Sequence, residues 1–271
     1  HTSPVEVTRT MKVLTYVGSY RRNGNSARVV SLIEEQLQAI SERQGEPLEI
    51  RRLHPGGHEI LPCRGCRVCF DRGEDYCPLR DDIVKVKAQI EWADGIIMAS
   101  PVYVDDASGS TKTLIDRLAY VCHRPAFMDK SVYLIATTGG SPCGHTLRTL
   151  QTAWLSWGAH LVGSAGFKTG ALTARDEIAA RYERKIARIA DRFFRHIQRK
   201  AHTQPGFVSL MMFKIQQWNW RRSDPASVDY QYWDANGWTD PRRDFFIDHQ
   251  TGPVTVALAR LVGGVLARVM N

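Results

Sequence analysis

The chain has 271 residues, of which 43% are hydrophobic and 24% are charged, and its 21 glycines and 12 prolines recur without a period. This composition excludes collagen-like, low-complexity and disordered classes and indicates an ordinary folded globular protein. The formal net charge of +8 is compatible with an anionic partner, but much of the excess lies on one predicted helix, so we expect no nucleic-acid partner.

The two ends of the chain argue against export and against membrane insertion. Residues 1–10 are polar and lack the apolar region of a secretory signal, and Met11 directly precedes the first strand pattern. We interpret 1–10 as a leader outside the fold. The longest apolar stretch, Val254 to Met270, is interrupted by Arg260 and Arg268 and is shorter than the about 20 residues of a membrane span. We therefore predict no transmembrane segment and a cytoplasmic protein.

Strand-like and helix-like patterns alternate over residues 11–200, which we predict to be one domain. The predicted strands are Lys12–Val17, Leu48–Leu53, Gly95–Ala99, Ser131–Ala136 and Leu161–Ser164. The first predicted helix has its apolar residues at Val30, Ile33, Leu37 and Ile40. Three further helices are predicted over Asp82–Trp92, Thr111–Val121 and Leu147–Trp157. Short apolar strands alternating with helices are typical of a parallel sheet covered on both faces. The sequence predicts an α/β fold with a doubly wound, five-stranded parallel sheet of order 2-1-3-4-5.

A long basic helix is predicted from Arg175 to Lys200, where nine basic residues accompany four acidic ones. Its apolar residues follow the spacing of one buried helical stripe: Ile178, Tyr182, Ile186, Ile189, Phe193 and Ile197. We interpret the segment as a surface helix with a solvated basic face. The alternative is a basic patch that docks a redox partner protein.

Residues 201–271 form a different region, in which strands and helices no longer alternate. Four of the seven tryptophans, Trp218, Trp220, Trp233 and Trp238, lie between Ala201 and Pro253. We predict a C-terminal extension that wraps the core and ends in a helix from about Val254 to Val269. Such an aromatic segment is typical of packing or of a subunit interface, and it favours a homodimer or homotetramer. A lid over a cofactor and a tail on a membrane surface remain as alternatives.

The loop after the first strand has the composition of a phosphate site. It reads Gly18-Ser19-Tyr20-Arg21-Arg22-Asn23-Gly24-Asn25-Ser26 and lacks both the dinucleotide fingerprint and the P-loop ending. Hydroxyl groups, an arginine and the free N–H groups of a helix N-terminus are the groups that bind a phosphate monoester. The alternative is a polar turn capped by Asn25 or Ser26.

Two further loops follow strands that end at the same edge of the predicted sheet. One reads Ser100-Pro101-Val102-Tyr103, and the other reads Thr137-Thr138-Gly139-Gly140-Ser141-Pro142. In a doubly wound sheet, ligands bind where such loops converge. A phosphate cradle beside two loops with N–H groups for the edge of a flat heterocycle favours FMN as the ligand.

These residues resemble the NAD(P)H-dependent FMN reductases of the flavodoxin-like superfamily, over about Met11 to Phe167. The match rests on the first loop, on the loop after Ser100 and on the pattern Lys112-x-x-x-Asp116-Arg117. The resemblance implies a flavodoxin-like fold. It implies FMN phosphate contacts by four residues of a loop that also contains Gly24, namely Ser19, Arg21, Asn25 and Ser26. It implies that the isoalloxazine is lined by Pro101, Val102, Tyr103, Thr138, Gly139 and Gly140.

Four of the six cysteines are clustered in an insertion at residues 63–77, as Cys63-x2-Cys66-x2-Cys69-x7-Cys77. In a chain without a secretion signal, thiols at such gaps are ligands more often than disulfides. Spacing alone does not separate zinc from an iron-sulfur cluster, and unligated redox-active thiols are the third alternative. The arrangement is similar to that of iron-sulfur flavoproteins, a resemblance that favours a [4Fe-4S] cluster.

The sequence therefore predicts an oxidoreductase whose chemistry is that of FMN, with no catalytic side chain. The expected donor is NAD(P)H, and the expected acceptor is a small molecule such as a quinone, a flavin or a nitro compound. Two alternatives stay open: an electron-transfer protein without a substrate of its own, and a flavodoxin-like module with a structural zinc on the four cysteines.

Overall fold

The computed structural model of the chain describes residues 9–199 and 204–269. Residues 1–8 of the predicted leader lie outside the described residues, as does the predicted boundary at 200 and 201. At the end of the predicted leader, the Arg9 guanidinium forms an ion pair with Asp94. In the described part of the chain, no helix is long and apolar enough to cross a membrane.

A parallel sheet of five strands forms the centre of the N-terminal region. The strands are β1 (Met11–Val17), β2 (Leu48–Leu53), β3 (Gly95–Tyr103), β5 (Ser131–Thr138) and β6 (His160–Lys168), in the order β2-β1-β3-β5-β6. The predicted class and the order of the five parallel strands are confirmed. A two-residue strand that was not predicted, β4 (Asp106–Ala107), pairs antiparallel with the end of β3, so the last two strands carry higher numbers than in the prediction.

Helices connect the parallel strands and cover both faces of the sheet. They are α1 (Asn25–Gln44), α2 (Val68–Asp71), α3 (Ile83–Trp92), α4 (Gly109–Arg117), α5 (Gly144–Ser156) and α6 (Arg175–Gln198). The helix predicted over Thr111–Val121 is shorter: α4 ends at Arg117 and a 3₁₀ turn covers Ala119–Cys122. The prediction joined the helix and the 3₁₀ turn into one helix because the apolar periodicity runs through both elements. Leu114, Leu118 and Val121 are all buried in the same core.

Two hydrophobic cores lie on opposite faces of the sheet. One holds α1 and α6, and includes the predicted stripe residues Ile178, Ile186, Ile189, Phe193 and Ile197. The other holds α3, α4 and α5 and buries Trp154 and Trp157. Five arginines of α6 face away from its core and are exposed, namely Arg181, Arg184, Arg188, Arg192 and Arg195, whereas Lys185 is half-buried over the ring of Phe167. The prediction of a buried stripe under a solvated basic face is confirmed.

The described part of the C-terminal extension is helical and has a core of its own. It comprises α7 (Phe207–Trp220), α8 (Val228–Ala235) and α9 (Pro253–Val269), and only the last of these was predicted. The extension core is formed by Leu210, Phe213, Trp233, Trp238, Phe245, Phe246 and Ala259. Helix α7 was missed because it is apolar on most of its surface and thus lacks the one-sided periodicity of a surface helix.

Candidate functional site

The ends of four strands form a cleft at the carboxyl edge of the sheet. Strand register places Pro101 beside Thr137, and Thr138 beside Lys168, so the loops that follow converge at one place. The cleft is open to solvent. Ten of the eleven residues predicted for the cofactor line it: Ser19, Arg21, Gly24, Asn25, Ser26, Pro101, Val102, Tyr103, Thr138 and Gly139. Gly140 is exposed and lies beside the cleft without lining it.

Gly18 is the first residue of the loop after β1, and a larger residue there would have to displace Thr111. Its N–H donates to the carbonyl oxygen of Ala99 at 2.7 Å, and its own carbonyl accepts from Ser108 Oγ at 2.5 Å. A Cβ atom at this position would lie 1.9 Å from Thr111 Oγ1. The chain therefore approaches α4 closely at Gly18 and turns directly into the cleft.

The amino end of α1 points into the cleft with its first N–H groups uncapped. Gly24 is the N-cap residue and has no side chain to accept from them. Before it, Ser19 Oγ accepts from the N–H of Arg21 at 3.2 Å, which fixes the turn, while the Arg21 side chain is exposed. A helix N-terminus with an arginine and a hydroxyl beside it is an anion-binding arrangement.

The side chains of Asn25 and Ser26 already have protein partners. Asn25 Nδ2 donates to Thr169 Oγ1 at 2.8 Å and to the Gly170 carbonyl at 3.0 Å, and its Oδ1 accepts from the N–H of Thr173 at 3.2 Å. Ser26 Oγ is 2.5 Å from Thr137 Oγ1. Asn25 and Ser26 can therefore bind a ligand chiefly through their backbone N–H groups. Their side chains bond the other walls of the cleft, at residues 137 and 169–173.

The loop after β6 was missed by the sequence analysis and forms one wall of the cleft. Thr169, Gly170, Ala171 and Leu172 line it, together with Thr137 at the end of β5. The Thr169 N–H donates to the carbonyl of Thr138 at 2.9 Å, which ties this loop to the predicted one. The last strand was predicted to end at Ser164, whereas β6 extends to Lys168. Thr169 and Gly170 therefore lie at the same edge of the sheet as the three loops that were identified, but they did not follow the predicted strand directly.

A strained hairpin tip lies beside the cleft, between β3 and β4. Its two central residues, Val104 and Asp105, have φ angles of 49° and 66°. Two successive positive φ angles are typical of the tight turns that join antiparallel strands, yet a β-branched residue rarely adopts this conformation. Val104 is fully exposed and Tyr103 is 52% exposed, so the tip presents apolar side chains at the mouth of the cleft.

The four clustered cysteines line a second cavity, which is open to solvent. Cys63 and Cys66 are exposed, Cys69 and Cys77 are half-buried, and all four thiols are free. Other walls of this cavity come from α3 and from the end of α4, through Ile83, Asp116, Arg117 and Tyr120. The structure thus brings together the four residues predicted as metal ligands.

The backbone between Cys63 and Cys69 has positive φ angles at two residues, Gly65 (65°) and Arg67 (63°). The Gly65 N–H donates to Cys63 Sγ at 3.5 Å. Over residues 9–199 and 204–269, no three His, Cys, Asp or Glu side chains are close enough to enclose one metal ion. A tetrahedral zinc site needs four sulfurs at about 2.3 Å from one ion. A four-iron cluster is likewise bound by four cysteine thiolates, so the residues of this cavity are of the kind that either group requires.

A buried ion pair anchors one side of the cysteine segment. Arg117 donates to both oxygens of Asp81 and to the Leu61 carbonyl at 2.9 Å, and the side chains are 3% and 0% exposed. Asp81 also accepts from the N–H of Leu61 at 2.8 Å and of Ile83 at 3.2 Å. Burial alone would raise the pKa of Asp81, but these hydrogen bonds outweigh it and lower the pKa. Asp81 is therefore a carboxylate.

Proximity among the cysteines affects their protonation. Burial raises the pKa of the Cys69 thiol, and negative charge on Cys63 and Cys77 raises it further. Such mutual repulsion is expected where several thiols share one cavity, and it is relieved when a cation binds the thiolates. Cys122 and Cys143 lie outside this cavity, and burial raises the pKa of each thiol.

Comparison with known proteins identifies related sequences. Residues 11–171 match the protein family described as NADPH-dependent FMN reductase. A protein of Archaeoglobus fulgidus named iron-sulfur flavoprotein is 26% identical over 237 residues, which cover 84% of this chain and 99% of that protein. An iron-sulfur flavoprotein of Methanocaldococcus jannaschii is 38% identical over 107 residues, covering 40% of this chain and 51% of that protein.

Among solved structures, a flavone reductase superposes with a TM-score of 0.53 at 16% identity, covering 72% of this chain and 65% of that one. At this identity the likeness concerns the fold, which is the flavodoxin-like arrangement of a parallel sheet between helices.

Proposed function

The chain belongs to the NADPH-dependent FMN reductase family, and on that premise we propose that it is an iron-sulfur flavoprotein that passes electrons from NAD(P)H to a small acceptor. Membership of the family makes it an FMN-dependent oxidoreductase. The observation that carries the finer proposal is the pairing of two sites in one chain: a phosphate-type cleft at the sheet edge and a cavity lined by four free thiols. A flavin exchanges one or two electrons and a cluster exchanges one, so together they join two-electron donors to one-electron acceptors.

The FMN phosphate is expected at the amino end of α1. Ser19 supplies a hydroxyl, Arg21 supplies a guanidinium and the uncapped N–H groups after Gly24 supply donors, all within one cleft. Asn25 and Ser26 act there through their backbone, since their side chains bind Thr169 and Thr137. The dianion charge is favoured at this place by the helix dipole and by Arg21.

The isoalloxazine is expected against the loops after β3 and β5. Pro101 and Val102 supply an apolar surface, and Thr138 and Gly139 supply backbone groups for the polar edge of the ring. Tyr103 lies at the exposed margin, where an aromatic side chain is placed to cover one face of a flat ligand. A ring held from these sides stays open to a nicotinamide or an acceptor from the solvent side.

The flavin proposal is tested by replacing Ser19 and Arg21 with alanine together. Each lost charge-assisted hydrogen bond costs about 1.5–3 kcal/mol, so we expect the FMN dissociation constant to rise by at least about a hundredfold. Arg22→Ala is the matched control, because Arg22 is exposed, adjacent in sequence and outside the cleft. Titration with FMN followed by quenching of its fluorescence measures both. Unchanged affinity in the double variant would refute the phosphate assignment.

The cluster proposal is tested on protein prepared without oxygen. We expect about four iron and four sulfide per chain, as in a [4Fe-4S] cluster, with broad visible absorption that dithionite bleaches. Cys63→Ser is expected to lower the iron content, whereas Cys143→Ser, outside the cavity, is expected to leave it unchanged. One zinc per chain without iron would overturn the cluster and support the structural zinc alternative.

A second candidate function is electron transfer to a partner protein without a small-molecule substrate. The observation that favours it is the row of exposed arginines on α6: Arg181, Arg184, Arg188, Arg192 and Arg195. Such a surface favours an acidic partner and gives a salt-dependent association rate. Steady turnover of NADPH with a quinone and no other protein would exclude this alternative.

A further inference from the structure

One of the connections between the C-terminal extension and the N-terminal domain is a buried carboxylate, that of Asp229 in α8. Its side chain is 9% exposed. One oxygen accepts from Arg124 Nη1 and the other lies 2.8 Å from His123 Nδ1. Both partners belong to the segment that follows α4, and the separation along the chain is 105 residues for Arg124. Asp229 therefore joins the extension to the N-terminal domain.

Arg124 in turn binds the cysteine segment. Its Nη2 donates to the backbone carbonyl of Cys69 at 2.6 Å and to Glu74 Oε2 at 3.0 Å. The Arg124 side chain is 3% exposed, so its charge is balanced by Asp229 and Glu74 and not by solvent. A continuous chain of hydrogen bonds thus runs from α8, through one guanidinium, to the main chain of a cysteine that lines the cavity.

Aromatic packing holds the same segment from the other side. The ring of Phe70, next to Cys69, meets His123 edge-on at 4.7 Å between ring centroids, and His123 lies 5.0 Å from Trp220 of α7. Trp233 Nε1 donates to the His123 carbonyl at 2.7 Å. Two helices of the extension therefore fix the segment that carries Arg124.

Residues 204–269 of the extension make no corresponding contribution to the other site. All residues that line the cleft at the sheet edge lie between Ser19 and Leu172. The described part of the extension is thus connected to the main chain of the cysteine segment and not to the cleft. A role in the metal centre requires that the extension contact the cysteine segment in preference to the cleft, and its contacts are distributed in this way.

We propose that the C-terminal extension is a part of the cysteine-bound redox centre, in which Asp229 is a positioning residue that holds Cys69 in place through Arg124. The inference rests on the proposed function, since it assigns the four thiols to a cluster. Asp229 touches no thiol itself. It acts by fixing the guanidinium that binds the Cys69 carbonyl and by balancing its positive charge.

The test compares Asp229→Asn with Asp234→Asn in the full-length chain. Asp234 lies in the same helix, is exposed and accepts from Thr239 Oγ1, so its variant makes the same chemical change away from Arg124. The first measurement is the rate at which a thiol reagent labels Cys69 in protein grown without iron. We expect labelling at least about tenfold faster in Asp229→Asn than in wild type, because opening of the segment becomes less costly. Asp234→Asn is expected to match wild type.

The second measurement is the midpoint potential of the reconstituted cluster. Asp229→Asn leaves the charge of Arg124 less balanced beside Cys69, and a nearby cation favours the reduced, more negative cluster, so the potential is expected to rise. Asp229→Glu, which restores the carboxylate, is expected to return the potential toward the wild-type value. A loss of packing alone would not give this order. Equal potentials and equal labelling rates in all the variants would overturn the proposal.

Folding and the two hypotheses are kept apart by separate readouts. FMN binding at the cleft reports whether a variant is folded. If Asp229→Asn does not bind FMN, Arg124→Lys, which keeps the charge and loses the reach to both partners, replaces it in the labelling measurement. If wild-type protein takes up no iron, the cluster is refuted, whereas the labelling rates still decide whether Asp229 holds the cysteine segment.

Discussion

The cleft at the sheet edge and the cysteine cavity are built in different ways. The cleft rests on the parallel sheet, where main-chain bonds such as Gly18 N–H to Ala99 O and Thr169 N–H to Thr138 O set its shape. The residues that line the cysteine cavity lie in helices, turns and loops, and two buried arginines, Arg117 and Arg124, hold that segment in place. The first site is thus supported by many small contributions, and the second depends on a few buried charges.

This difference predicts that single substitutions damage the two sites unequally. Many backbone hydrogen bonds, each contributing about 1 kcal/mol, make the cleft tolerant of any one loss. Removing one partner of a buried ion pair leaves the other charge uncompensated, which costs about 3–5 kcal/mol. The cysteine cavity is therefore the fragile site, and the experiments below are ordered by the size of the effect expected.

The largest effect is expected for Arg117→Met. The carboxylate of Asp81 would remain buried without its guanidinium, and the free energy of unfolding should fall by about 3–5 kcal/mol, measured by urea denaturation. The thiols of the cysteine segment should also be labelled faster by a thiol reagent, because the Leu61 carbonyl and Cys77 Sγ lose the hydrogen bonds that Arg117 donates.

Lys112→Ala is the control for that measurement. It breaks the Lys112–Asp116 pair on the same helix, whose side chains are 51% and 44% exposed. An exposed pair of this kind contributes about 0–1 kcal/mol. Similar losses in the two variants would contradict the view that buried charge supports the cavity.

The cleft is expected to respond most to Gly18→Ala. The new Cβ would lie 1.9 Å from Thr111 Oγ1, and overpacking of this kind costs about 1–3 kcal/mol. FMN affinity should fall with stability, while the labelling rate of the cysteines should stay at the wild-type value. Adding Thr111→Ala should recover part of the loss. A double-mutant cycle measures the coupling, and strict additivity would show that the two atoms do not meet.

The same difference explains how much was predictable from the sequence. The cleft loops follow buried strands directly, so strand periodicity and a rule about sheet edges predicted that three of these loops meet, while the family resemblance singled out the residues, ten of which line the cleft. The cysteines were identified by their spacing. Their supports were not, because Arg117 meets Asp81 across 36 residues and Arg124 meets Asp229 across 105. No local pattern marks a charge that is buried only after distant segments pack.

A pH dependence follows from the lowered pKa of Asp81. An Asp that ionises more readily when folded stabilises the protein above its unfolded pKa of about 3.9. That contribution is lost as the pH falls below about 4 and through the lower folded pKa. The difference in unfolding free energy between wild type and Asp81→Asn should therefore be constant from pH 5 to 7 and shrink below about pH 4. A difference that grows on acidification would contradict the ion pair.

The smallest effect is expected at the hairpin tip beside the cleft. Val104 has a φ of 49° and is fully exposed, so its conformation is strained without any burial in return. Val104→Gly removes a cost of about 1–2 kcal/mol and adds about 0.5–1 kcal/mol of backbone entropy loss, so the protein should gain up to about 1.5 kcal/mol. Val104→Ala keeps the Cβ and should change stability much less. If the strain instead serves to hold Tyr103 over the ligand, the glycine variant should bind FMN about two- to tenfold more weakly, because a looser tip must be ordered on binding. A gain in stability with unchanged FMN affinity would show that the tip is only a turn, and that the cleft is complete without it.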